Sequence, residues 1–135
     1  MGTVSQTFIN SKLRAAENVL QFEPGEALFR EGEAPLGVFI LDAGCVDLLF
    51  SARNGNVKAL RVAERGQILG LSSVVGRRPH ECSATARTHC RAGFVGRDVF
   101  LRLLDDYPAI WFSVLSLLSS DVNAAYDDMR ALVAR

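Results

Sequence analysis

Turn residues interrupt this chain too often for long helices to form in its middle. Between Val19 and Gly96 all but one of the strand-like runs end within nine residues at a glycine, a Pro-Gly or an Asn-Gly. "VLQFE" (19–23) stops at Pro24-Gly25, a type II turn signal because glycine supplies the positive φ after proline. "ALFRE" stops at Gly32, "LGVFILDAG" ends on Gly44, and "CVDLLFSA" runs into Arg53-Asn54-Gly55-Asn56. Asn54-Gly55 between two such runs is a strong hairpin signal. "VKALRVA" leads to Gly66, and "ECSATART" with "CRAGFVG" makes a further pair. Short strands at this spacing predict an antiparallel β-barrel or jelly roll.

The two ends read differently. Ser5 to Ala16 can form a short helix with Phe8, Ile9 and Leu13 on one side. "GRDVFLRLLDDYP" (96–108) predicts a short helix capped by Asp98 and closed at Pro108. A longer helix from Pro108 to Arg135 follows, with Trp111, Leu115, Leu118, Val122, Ala125, Met129 and Leu132 at alternating steps of four and three. That is a heptad seam, the mark of helices that pair. A second stripe (Ile110, Val114, Leu117) stops at Asp121, so the later half has one narrow face to bury. Packing on the chain's own barrel is the plain alternative; the narrow seam favours a homodimer.

The 135 residues are enough for one domain, and 49% hydrophobic content is enough for one core. The layout expected is one domain over 1–135, with an N-terminal helix in 1–18, strands in 19–96, and helices in 97–135 including the dimer helix 108–135. Fifteen basic residues balance fifteen acidic ones, which argues against nucleic acid as the main partner. No signal peptide is visible, and the longest apolar stretch, 110–118, is far short of the ~20 residues that span a bilayer. Three cysteines (Cys45, Cys82, Cys90) fit reduced thiols in a cytoplasm, so a cytoplasmic protein without a membrane partner is expected.

This order of parts resembles the cyclic-nucleotide-binding domain, and within it the sensor domain of Crp/Fnr-type bacterial transcription regulators. The residues that carry the likeness are "FEPGEALFREGE" (22–33), "LGVFILDAGCVDLL" (36–49) and "GRDVFLRLLDDYP" (96–108). The resemblance implies a double-stranded β-helix with residues 70–86, "GLSSVVGRRPHECSATA", as the phosphate-binding cassette. It further implies a glycine for close backbone approach, a short helix, a glutamate for the ribose and an arginine for the phosphate. Gly70 is the glycine, with Ser72 and Ser73 adding hydroxyls. Leu71 stands at the glutamate position, where it could fill the ribose space. Aligning "ECSATA" on the next strand places Cys82 at the arginine position, followed by Ser83.

Both charged anchors are then absent, a loss worth ~2–5 kcal/mol. Arg77 and Arg78 read as a solvated pair, with Arg78 the nearer substitute. Tyr126 on the long helix is where the resemblance places a base contact. An unidentified small-molecule effector other than a tightly held cyclic nucleotide is expected, with no resident cofactor and no metal.

His80, Cys82, His89 and Cys90 would be the ligands of a cupin-like metal protein, but no C-x-x-C or H-x-H pair supports one. No enzyme activity is expected; Asp105-Asp106 and Asp127-Asp128 read as solvated helix faces. The family continues into a winged helix-turn-helix, whereas this sequence stops at Arg135, so DNA binding by this chain alone is not expected. It reads either as part of a longer regulator or as a stand-alone sensor or scaffold acting on a protein partner.

Overall fold

A computed structural model of the chain describes residues 15, 16, 18–52 and 54–108. Of the expected N-terminal helix only Ala15 and Ala16, both helical, are described; the dimer seam from Trp111 to Leu132 and Tyr126 lie outside the described residues. Eight strands and two helices follow in order: β1 (Asn18–Phe22), β2 (Ala27–Phe29), β3 (Gly37–Ala43), β4 (Val46–Ser51), β5 (Val57–Ala63), β6 (Ile68–Leu69), α1 (Leu71–Gly76), β7 (Ser83–Ala86), β8 (Cys90–Gly96) and α2 (Arg97–Asp106). They form two antiparallel four-stranded sheets, β1-β8-β3-β6 and β2-β7-β4-β5.

Of the expected barrel or jelly roll, no closed barrel is found among the described residues; the strands form two facing sheets. Among the described residues neither sheet closes: β6 has two residues and β2 three, so the ladders stop at those edges. Side chains rather than hydrogen bonds join the sheets. Seven runs read as strands from the sequence are strands; β6 is too short to have shown a pattern.

Three turns share one design. Glu23–Glu26, Arg30–Glu33 and Glu64–Gln67 each have glycine third, with φ of 92° at Gly25, 86° at Gly32 and 94° at Gly66. The fourth N–H donates to the first carbonyl at 3.0, 3.1 and 3.1 Å. The fourth side chain then closes the turn: Oε1 of Glu26, Glu33 and Gln67 accepts the first residue's N–H at 2.6, 2.8 and 2.6 Å. The hairpin expected at Asn54-Gly55 joins β4 to β5, with Gly55 at φ 84°.

β3 explains why "GVFIL" shows no polar alternation: both of its faces are covered. Phe39 and Leu41 enter a core between the sheets with Phe29, Val46, Leu48 and Ala92. Val38 and Ile40 point the other way, into a second core with Leu71, Val74, Phe100 and Leu104 from the two helices. α2 departs from its expected cap. Its N-cap is Gly96, with no side-chain bond, and Asp98 lies in the first turn, where it faces the positive end of the helix dipole.

Candidate functional site

The chain leaves β6 through Gly70, which adopts φ 84°, a left-handed conformation that disfavours a side chain. The space agrees: a Cβ there would lie 3.3 Å from both the Gly37 carbonyl oxygen and Cε1 of His80. α1 starts immediately, with the Val74 N–H donating to the Gly70 carbonyl at 3.1 Å. It ends at Arg77, a non-glycine residue at φ 54°. A glycine followed by a short helix is thus present at 70–76.

Its side chains depart from the sequence expectations in several places. Leu71 is buried in the core shared by α1, α2 and β3. It packs under α2 rather than among the side chains between the sheets. Ser72 is exposed and Ser73 is buried. Arg78 lies against Gly76 and pairs with Glu81 at 3.5 Å, both side chains well exposed. It is a surface ion pair and does not turn into the cassette. The Ser83 hydroxyl accepts the Glu31 N–H at 2.9 Å, tying β7 to the end of β2.

Cys82 is half-buried against the inter-sheet core. Burial, then the charges of Glu81 and Glu31, push its thiol up to about 11, while Arg61 opposes them. The thiol is protonated at neutral pH and is a poor nucleophile.

The residue that meets Gly70 is His80. It is 4% exposed and stacks on Phe29 with ring centroids 3.9 Å apart and planes 14° from parallel. Backbone bonds hold it on both sides: its N–H donates to the Glu33 carbonyl at 3.0 Å, and its carbonyl accepts from Gly32 at 2.8 Å. Among the described residues no group hydrogen-bonds its ring. Burial lowers its pKa, with the Glu33 charge opposing, so it is mostly neutral at pH 7.

Ala84 and Ala86 share the buried face of β7, whereas His80 lies before the strand, where alternation does not reach it. Alternation does find Arg61, which the sequence reading passed over. It pairs with Leu48, which also pairs with Ala84, so a guanidinium shares the inner face of the second sheet.

His80 and His89 do not converge. His89 is exposed, with Nδ1 3.2 Å from Glu23 Oε1. Among the described residues no three His, Cys, Asp or Glu side chains are grouped to hold a metal, and no helix is long and apolar enough to cross a membrane. A cleft of about 260 Å³ lies on the second sheet, lined by Ala27, Arg30, Glu31, Leu49 and, from the 70–86 segment, Ser83 and Thr85.

Comparison with known proteins gives a consistent picture. Residues 19–107 match the family model described as a cyclic nucleotide-binding domain. The chain is 27% identical over 111 residues to lysophospholipase NTE1 of Kluyveromyces lactis, covering 78% of this chain and 8% of that protein. It is 28% identical over 98 residues to a cAMP-dependent protein kinase regulatory subunit of Yarrowia lipolytica, covering 73% of this chain and 25% of that one. The catabolite activator protein of Thermus thermophilus superposes with a TM-score of 0.82 at 18% identity, covering 96% of this chain and 61% of that chain. The chain therefore spans a quarter or less of these two curated relatives and about three-fifths of the activator.

Proposed function

The chain belongs to the cyclic nucleotide-binding domain family, and from that membership we propose a ligand-sensing, dimerising regulatory domain of a Crp/Fnr-type transcription regulator. We infer further that its phosphate cassette has kept its backbone and lost its fixed charges. The observation that carries this is the contrast at one place. Gly70 and α1 have the required geometry, yet Leu71, His80 and Cys82 bring no permanent charge to it at neutral pH. Without those anchors, cyclic AMP and cyclic GMP are not held tightly.

Signal output on this reading is a population shift. A filled pocket would move α2, which packs on α1 through the Leu71, Val74, Phe100 and Leu104 core, and so bias the helix that follows Pro108. The seam from Trp111 to Leu132 would pair two copies, in the cytoplasm, with any DNA contact made outside these residues.

The test is a thermal-melt titration at pH 7.5 with each cyclic nucleotide up to millimolar concentration. Ligand at ~100 times its Kd adds ~2.7 kcal/mol, a shift of several degrees for a domain of this size. A flat response is expected. A clear shift at micromolar nucleotide would show that the anchors have been replaced, not lost.

A further inference from the structure

We propose that the cleft on the outer face of the second sheet binds a small zwitterion, an aliphatic α-amino acid, between Arg30 and Glu31. This site goes beyond the regulatory reading above and needs nothing from the turn at Gly70.

The cleft opens where the sheet is irregular on both sides of β7. Register shifts between Ala27 and Phe29 where β2 meets β7, and between Leu48 and Leu49 where β4 meets β5. Such a shift bends its strand and re-aims side chains. Ala84 and Ala86 of β7 are buried in the core between the sheets, so Ser83 and Thr85 face the other way, onto the cleft. Leu49 and Phe50, both half-buried, give it an apolar side. Its volume of about 260 Å³ is below the ~300–1,000 Å³ of sites for drug-sized ligands, which limits the occupant to a few heavy atoms.

Charge sets the class of that occupant. Arg30 and Glu31 both line the cleft, yet they do not pair with each other, and among the described residues neither has another ion-pair partner. Both are held in place. The Arg30 N–H donates to Glu33 Oε1 at 2.8 Å inside its closed turn. The Glu31 N–H donates to the Ser83 hydroxyl at 2.9 Å, and Glu31 Oε1 accepts the Ser51 N–H at 2.8 Å. One oxygen of that carboxylate is therefore engaged and the other is open to a donor. The Ser83 oxygen already accepts a bond, so its hydrogen is directed elsewhere, and with Thr85 it adds hydroxyl donors to the guanidinium. A carboxylate suits Arg30 and the hydroxyls, an ammonium suits Glu31, and an aliphatic side chain suits Leu49 and Phe50. An anion alone would meet Glu31, and a cation alone would meet Arg30. A molecule that carries both charges a few bonds apart satisfies both.

Amide NMR on the intact chain tests this near pH 6.5. The probe is L-leucine at millimolar concentration, beside L-leucinamide, which lacks the carboxylate, and 4-methylpentanoate, which lacks the ammonium. L-Leucine is expected to shift the amides of Arg30, Glu31, Ser51 and Ser83 and to leave those of 70–76 still. Each analogue should bind ~10-fold more weakly, for the loss of one charge-assisted bond.

Two variants add independent arms, each checked for folding by its melt. Arg30→Gln should bring L-leucine down to the affinity of L-leucinamide and leave L-leucinamide itself unchanged. Glu31→Gln, whose amide oxygen can still accept the Ser51 N–H, should do the same for L-leucine and 4-methylpentanoate. No shift with L-leucine, or analogues that bind as well as L-leucine, would overturn the proposal. So would affinity for L-leucine that survives both substitutions. Shifts confined to 70–80 would place the ligand at the turn after β6 and overturn the outer-face site, whatever becomes of the regulatory reading.

Discussion

Burial sets the imidazole of His80 against its own protonation, which gives the molecule a pH dependence with a definite sign. The folded-state pKa lies below the unfolded value. The folded chain therefore binds fewer protons than the unfolded chain when the pH lies between the two values. Stability from this residue is complete above the unfolded pKa, near ~6.5, and is lost as pH falls toward the folded value. Urea midpoints of the parent and of His80→Gln should converge as pH drops from 7.5 to 5; a constant gap would show the ring is not protected from protons. Cys82 makes a second case. With its thiol pushed up to about 11, about one molecule in a thousand carries the thiolate at pH 8. Alkylation read at Cys82 by mass spectrometry should be slow, and slower again in Arg61→Ala, which removes the opposing charge. Fast alkylation of the parent would mean the thiol is more open to water than the fold shows. These two neighbours also explain what the sequence hid. β7 begins at Ser83, just after Cys82, and the residue just after Pro79 is the one whose ring meets Gly70. Strand alternation does not reach residue 80, which lies before β7, so the sequence could not show which residue faces the glycine.

Elements were more legible than contacts because turn chemistry is local. Pro24-Gly25 and Asn54-Gly55 announce their turns through φ requirements that few other residues meet, and both turns form. The side-chain closure by Glu26, Glu33 and Gln67 was not visible in the same way, since a glutamate after a glycine is ordinary surface composition. Nor could strand patterns say which edges would fail to join, which is why a barrel and a jelly roll were both open and two sheets were found. One element carries an evident cost. Arg77 ends α1 in the left-handed region, where a Cβ is disfavoured by ~1–2 kcal/mol. Arg77→Gly should raise stability by ~1 kcal/mol, because glycine is the usual residue at this helix end. A drop in the denaturation midpoint would show that the Arg77 side chain makes a compensating contact.

At the scale of the molecule, the two cores divide the work. The one between the sheets holds the two sheets together, and the one on the far face of β3 joins α1 to α2. Any displacement of α1 is felt by α2 because Leu71 and Val74 share a packed cluster with Phe100 and Leu104, and packed clusters do not deform continuously. What α2 would then move is the helix expected from Pro108 onward, and the signal depends on what that helix meets. Its heptad spacing gives a sharp expectation. Leu118 is mid-seam, flanked by Leu115 and Val122 at the steps a paired helix requires. A charge there cannot be solvated inside a two-helix seam. Leu118→Glu should turn a dimer into a monomer by light scattering, and should remove the dependence of the melting temperature on protein concentration that a dimer shows. If the helix instead packs on its own domain, the parent is already monomeric and the same substitution lowers its melting temperature without changing its mass. The two results assign the seam to different surfaces, and only the first gives a cassette on one subunit a partner to signal to.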